Sequence, residues 1–255
     1  MFNVRSSGGY SVTLTELKEE FKISDKAIQQ NLYRLKTKHQ IAQLRQGFYV
    51  IIPPEYSQKE MLPISLFADD LMKFLNRDYY LSLFSAAALH SNGHLQPMEY
   101  QLITENPALR NIKNHKLNIN FFTKSKWDSK DIIEKKTAAG YIKVSSPELT
   151  VLDLVFYNKK IGGINRLLPI LKNLSEEIKP SKLFAAAKRH NRTTTVQRLG
   201  FILDKVLGIE TLSRPLLQLL QKKKYNVIPL SIAHKDKKGK IDETWKVIIN
   251  MDITL

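Results

Sequence analysis

Lys26, Gln29, Gln30, Tyr33 and Arg34 recur at the spacing of one helical face, and each carries a long-reaching donor or amide. On the first half of a second helix, such side chains can reach base edges and phosphates in the major groove of double-stranded DNA. Taken in isolation, the same face equally suits an amphipathic helix standing in water. Arg45 and Gln46 precede Gly47 at a turn, where a wing tip would meet the minor groove or backbone of the duplex.

Residue types suited to catalysis are present but poorly assembled. His90 and His94 have the i, i+4 spacing of metal ligands, yet Asn92 and Gly93 interrupt the helix between them and no third ligand is spaced to join. Asp69 and Asp70 read as an exposed acidic pair. Asp128 with Glu134 and Lys135 resembles nuclease carboxylates without the strand context that would aim them at one metal. Ser85 and Ser146 have no partnered base. Gly162-Gly163 is a loop or helix-end device, and neither G-x-x-x-x-G-K nor G-x-G-x-x-G occurs. The pattern favours a binding protein over an enzyme. The enzyme alternative is a nuclease acting through Asp128 and Glu134.

The elements that must position the helix face follow closely on one another. Residues 13–21 open with threonine hydroxyls and an acidic first turn, and Leu14, Leu17 and Phe21 form an apolar stripe. Ser24 is the expected N-cap of a second helix running to about His39, with Ile28, Leu32 and Leu35 inward and Ala27 near the first helix. Residues 41–51 alternate around Gly47 as a β-hairpin, and Pro53-Pro54 closes the unit. Helix, tight turn, helix, hairpin is the order of a winged helix-turn-helix. The stretch before it, with Gly8-Gly9, suits an abbreviated element or a strand.

The remaining chain mixes signals. Residues 63–75 and the apolar run 79–90 are expected as helices, the latter in the core. Residues 100–104, 116–123 and 140–144 read as strands. Ser145 and Glu148 form a capping box with Pro147 in the first turn, ahead of a buried stripe of Leu149, Leu152, Val155 and Phe156. Further helices are expected at 181–188 and, capped by Thr193-Thr194-Thr195, at 196–206. Residues 225–230 and 244–251 are strand-like.

Charge sharpens this picture. The 255 residues carry 40 Lys and Arg against 24 Asp and Glu, a net +16, and +10 of that lies in residues 179–255. Such a balance draws polyanions. Lys188, Arg189, Arg192 and Arg198 form a possible second basic site, joined in sequence by Lys222-Lys223-Lys224 and residues 235–240. These stretches suit phosphates, an acidic protein or plain solvation. No apolar run reaches the roughly 20 residues of a membrane span, no apolar segment follows Met1-Phe2-Asn3-Val4-Arg5 as in a signal peptide, and cysteine is absent. The expected address is the cytoplasm, with no membrane partner.

Several segments in order resemble the AbiEi antitoxins of bacterial type IV toxin–antitoxin and phage-resistance systems. They are the N-terminal winged helix, Tyr79-Tyr80-Leu81-Ser82-Leu83-Phe84-Ser85-Ala86-Ala87-Ala88-Leu89-His90, and Val144-Ser145-Ser146-Pro147-Glu148-Leu149-Thr150-Val151-Leu152-Asp153-Leu154-Val155. Gly162-Gly163, Arg198-Leu199-Gly200-Phe201-Ile202-Leu203 and Trp245-Lys246-Val247-Ile248-Ile249-Asn250 follow at fitting distances. The resemblance implies a transcriptional autorepressor that binds repeats in its own promoter. It also implies a body that counters a cognate nucleotidyltransferase-like toxin without needing a stable complex, and a C-terminal domain whose basic residues assist DNA binding. The expected architecture is α+β, with a winged helix-turn-helix in 1–56 and a larger mixed α/β antitoxin domain in 60–255. No cofactor and no catalytic residue are expected. The alternative is a plain winged-helix regulator with a ligand- or partner-sensing domain.

Overall fold

A computed structural model describes residues 9–58, 60–91, 99–113, 117–233 and 238–254. It is a mixed α/β structure with two compact units, one of residues 1–81, 98–125 and 134–144, the other of 82–97, 126–133 and 145–255. The first unit therefore continues past the 53–58 segment.

The first unit begins with strand β1 (Ser11–Thr13), helices α1 (Leu14–Glu20) and α2 (Asp25–Thr37), and strands β2 (Ile41–Arg45) and β3 (Phe48–Ile51). Thr13 starts α1 with a reciprocal box: its hydroxyl accepts from the Glu16 amide at 3.1 Å, and the Glu16 carboxylate accepts from the Thr13 amide at 2.7 Å. Ser24 caps α2 by accepting from the Ala27 amide at 3.3 Å. The hairpin turns at Gly47, whose φ of 81° suits a residue without a side chain. β1 pairs antiparallel with β3, completing a three-stranded sheet of order β1-β3-β2. Val12, Leu17, Ile28, Leu32, Ile41, Tyr49 and Ile51 close the core between helices and sheet.

A six-stranded mixed sheet of order β6-β7-β5-β4-β9-β8 also belongs to this unit, apart from Ile132, Ile133 and Ser145 at strand ends. Its strands are β4 (Tyr79–Leu81), β5 (Tyr100–Thr104), β6 (Ile112–Lys113), β7 (Asn118–Thr123), β8 (Ile132–Thr137) and β9 (Gly140–Ser145). β4 pairs antiparallel with β5 and parallel with β9, and β5 pairs parallel with β7. Tyr80, Leu102, Ile103 and Val144 are fully buried. The helix expected at 63–75 is broken into a 3-10 turn, Ile64–Leu66, and α3 (Ala68–Phe74).

The second unit is mainly helical: α4 (Leu83–His90), α5 (Pro147–Phe156), α6 (Ile164–Ser175), α7 (Pro180–His190), α8 (Thr193–Phe201) and α9 (Glu210–Gln221). α5 is its centre, packed by α4, α6, α7 and α8. A small sheet, β10 (Ile228–Pro229), β12 (Val247–Ile249) and β11 (Lys240–Asp242), completes it.

Three expectations are corrected here. The apolar run 79–90 is a strand followed by a helix, divided at Ser82 and at Leu83, which takes a φ of 56°. The cap of α5 is Ser146, whose hydroxyl accepts from the Leu149 amide; the Ser145 hydroxyl instead bonds Thr150 at 2.7 Å, and Glu148 accepts from the Lys179 amide. Phe156 is 37% exposed and does not share the buried stripe of Leu149, Leu152 and Val155.

Candidate nucleic-acid interface

α2 has two faces of opposite character. Ile28 and Leu32 are buried against α1 and the sheet, while Lys26, Gln29, Gln30, Tyr33 and Arg34 are all exposed. Tyr33, at 71% exposure, is the most open large hydrophobic side chain among the described residues. An aromatic this exposed gains nothing for the core, and its ring and hydroxyl are available to a partner. Lys36, toward the end of the helix, donates to the Gln43 side chain at 3.1 Å and so ties α2 to the hairpin.

The hairpin presents its two expected residues unequally. Gln46 is exposed at the turn. Arg45 is half-buried: its guanidinium donates to the Arg110 carbonyl and lies 5.9 Å from the Phe121 ring centroid. Burial, and then the charge of Arg110, lower its pKa from the ordinary arginine value. The turn itself is held down, since the Gly47 carbonyl accepts from the Leu14 amide at 2.8 Å and Phe48 packs on Phe74.

Of the second basic set, Lys188, Arg189 and Arg192 are exposed at the end of α7 and the turn after it. Asn191 ends α7 in the left-handed conformation, and its side chain accepts from Lys223 at 3.0 Å. That bond brings the 222–224 lysines to the same place, although 32 positions separate the two residues. Arg192 lies 5.9 Å from the Phe156 ring centroid. Arg189 is partly committed, donating from Nε and a terminal nitrogen to both oxygens of Asp131 at 2.9 and 2.5 Å. This fork raises the arginine pKa further. Arg198 departs from expectation. It is only 6% exposed and its Nε donates to the Pro229 and Leu230 carbonyls, with burial pushing its pKa down to about 10. It is an internal brace and not part of that surface.

Most of the residues considered for catalysis have structural partners. His90 Nε2 donates to the Ser145 carbonyl at 2.8 Å, while His94 lies outside the described residues. Asp69 pairs with Lys73 and accepts from the Tyr79 hydroxyl, whose pKa is raised by burial and then by Asp69. Asp70 accepts from Ser11. Asp128 caps a turn by accepting from the Lys130 amide, and Glu134 stands on β8. Ser85 is buried in α4, and Gly163 precedes α6 with a φ of 86°. Among the described residues, no group of three or more His, Asp or Glu could hold a metal ion. Asp131 was missed by sequence reasoning; without its distant arginine partner it is one acid among 24.

Comparison with known proteins adds four findings. Residues 80–205 match the family model described as the AbiEi antitoxin C-terminal domain. No curated protein matches. The fold is shared with the crystal structure of the RV2827C protein from Mycobacterium tuberculosis, at a TM-score of 0.64 and 13% identity over 96% of this chain and 88% of that one. An antigenic nucleotidyltransferase-like protein from Paracoccidioides brasiliensis scores 0.41 at 10% identity, over 58% of this chain and 89% of that one.

Proposed function

We propose that this chain is the antitoxin of a type IV toxin–antitoxin system that also represses its own operon, because residues 80–205 match the model of the AbiEi antitoxin C-terminal domain. The family match is the observation that carries this reading. The toxin it counters is a nucleotidyltransferase-like protein, and neutralisation proceeds without a stable complex between the two. The site of action is the cytoplasm.

DNA binding is the work of residues 1–56, read as a winged helix-turn-helix. In this reading α2 enters the major groove of operator repeats, where Gln29 and Gln30 meet base edges and Lys26, Tyr33 and Arg34 meet bases or phosphates. Gln46 approaches the backbone at the wing tip. Arg45 braces the wing through Arg110 and Phe121. Lys188, Arg189, Arg192 and the 222–224 lysines add phosphate contacts from the antitoxin part, which supplies affinity and salt dependence without sequence preference.

The test is growth of cells expressing the product of the adjacent gene, with and without the full chain, alongside a reporter driven by the operon promoter. Growth should stop with the neighbour alone and resume with the full chain. A Lys26→Glu/Gln30→Ala variant should still restore growth while releasing the promoter. A harmless neighbour, or rescue lost together with repression in that variant, would sink the two-function reading.

A further inference from the structure

Within the first unit, residues of α3, β4, β8 and β9 and of the turn between α3 and β4 line a hollow of about 290 Å³. That is the small end of ligand pockets, roughly 300–1,000 Å³, so it suits a metabolite and not a polymer. Among the described residues six charged side chains line it, three of each sign. Four of them cancel in pairs: Lys73 bonds Asp69 at 2.7 Å, and Lys143 lies 3.5 Å from Asp78. Arg77 and Glu134 are left over, and they do not pair with each other. Glu134 has no partner among the described residues. Arg77 spends one of its five N–H donors, on the Asn106 carbonyl at 3.3 Å. The rest of the lining is largely apolar. Met72, Tyr79 and Ile142 contribute to it from the core, and the Tyr141 ring lines it while 60% exposed.

We propose that this hollow binds a free α-amino acid with an apolar or aromatic side chain. A ligand with a single charge answers either Arg77 or Glu134, whereas a zwitterion answers both. The carboxylate takes the open donors of the Arg77 guanidinium, whose planar fork matches it, and the ammonium meets the Glu134 carboxylate. The side chain lies against Tyr141, Met72 and Ile142, where an exposed aromatic ring gains contact area. Glu134 thus serves a ligand and not the metal of a nuclease. The inference does not rest on the toxin–antitoxin reading, since none of these residues is among those assigned to DNA.

Isothermal titration calorimetry of the full chain against the apolar and aromatic L-amino acids finds the ligand, which should bind with a micromolar Kd. The best ligand is then compared with the corresponding acid, which lacks the ammonium, and the corresponding amine, which lacks the carboxylate. For L-phenylalanine these are 3-phenylpropionic acid and 2-phenylethylamine. Each should bind at least about tenfold more weakly, the value of one good charged contact. Glu134→Gln should weaken the amino acid by a similar factor and leave the acid unchanged. Arg77→Gln should weaken the amino acid and leave the amine unchanged. Both side chains reach solvent, so both variants keep their fold, which circular dichroism checks. No binding by any amino acid of the set overturns the proposal, as does equal binding of the acid or the amine, or an affinity that neither variant changes.

Discussion

Gly200 of α8 lies face to face with the Trp245 indole, so close that a Cβ at position 200 would fall inside the ring's own volume. Trp245 is 1% exposed, and its ring nitrogen donates to Asp204 at 2.9 Å. The absent side chain of a helical glycine is thus what admits the largest side chain of the small C-terminal sheet region. Gln197, one turn earlier, donates to the Trp245 carbonyl at 3.0 Å and holds the same segment from its backbone.

Gly200→Ala should therefore destabilise the protein, although alanine is the better helix former. Overpacking of this kind costs about 1–3 kcal/mol, against a gain of about 1 kcal/mol in helix propensity. Urea denaturation followed by tryptophan fluorescence measures the balance, and a midpoint that rises would show that the indole moves aside freely.

Asp204 gives this lock a pH dependence. Burial alone would raise its pKa, but hydrogen bonds from Trp245 and Lys205, and the Lys205 charge, outweigh it and leave the value below the ordinary 3.8. A depressed carboxyl contributes stability that is complete above 3.8 and is lost as pH falls through the folded value. Asp204→Asn should be less stable than the parent at neutral pH, and its stability should vary less between pH 5 and 2, as urea denaturation followed by tryptophan fluorescence at each pH would measure.

Asp131 and Arg189 anchor the end of α7, where the exposed Lys188 and Arg192 sit. Asp131 is 5% exposed, and Arg189→Ala would leave its carboxylate in that setting without the fork. The expected loss is about 1–3 kcal/mol, as for a charged group deprived of its buried hydrogen bonds. In a double-mutant cycle with Asp131→Asn, the combined loss should fall short of the sum of the single losses. Strict additivity would show that the pair has no coupling.

For DNA, Gln30→Ala should reduce discrimination between the operator duplex and a scrambled one by about 1–3 kcal/mol, the value of a good base contact. Arg34→Ala should weaken both duplexes alike and reduce the slope of log affinity against log salt by about one. Fluorescence anisotropy at several salt concentrations separates the two effects. Equal losses from both variants on both duplexes would mean that neither side chain reads sequence.

Local chemistry was legible in the sequence wherever the decisive partner was near in the chain. The Thr13 and Ser24 caps, the hairpin around Gly47, the strands over 100–104 and 140–144, and the loop role of Gly163 all rest on neighbours a few residues away. The exposed face of α2 followed from the same periodicity, because a residue's side of a helix depends only on its spacing from Ile28 and Leu32.

What only the tertiary structure decided were the places where a distant group outbids a local one. The run 79–90 has the composition of one buried helix. It breaks because β5 and β9 pair with Tyr79–Leu81 and Asp153, 71 residues away, accepts from the Ser82 hydroxyl. Ser146 rather than Ser145 caps α5 because Thr150 and Ser82 already engage the Ser145 hydroxyl. Arg198 looks like any surface arginine in sequence until the carbonyls of residues 229 and 230 close over it. Asp131 gains its role only when Arg189 arrives from 58 positions away. Periodicity and caps are written within one turn of chain, so the sequence determined the elements and their faces. Competition for a hydroxyl, a carboxylate or a buried guanidinium is settled between segments that meet only after folding.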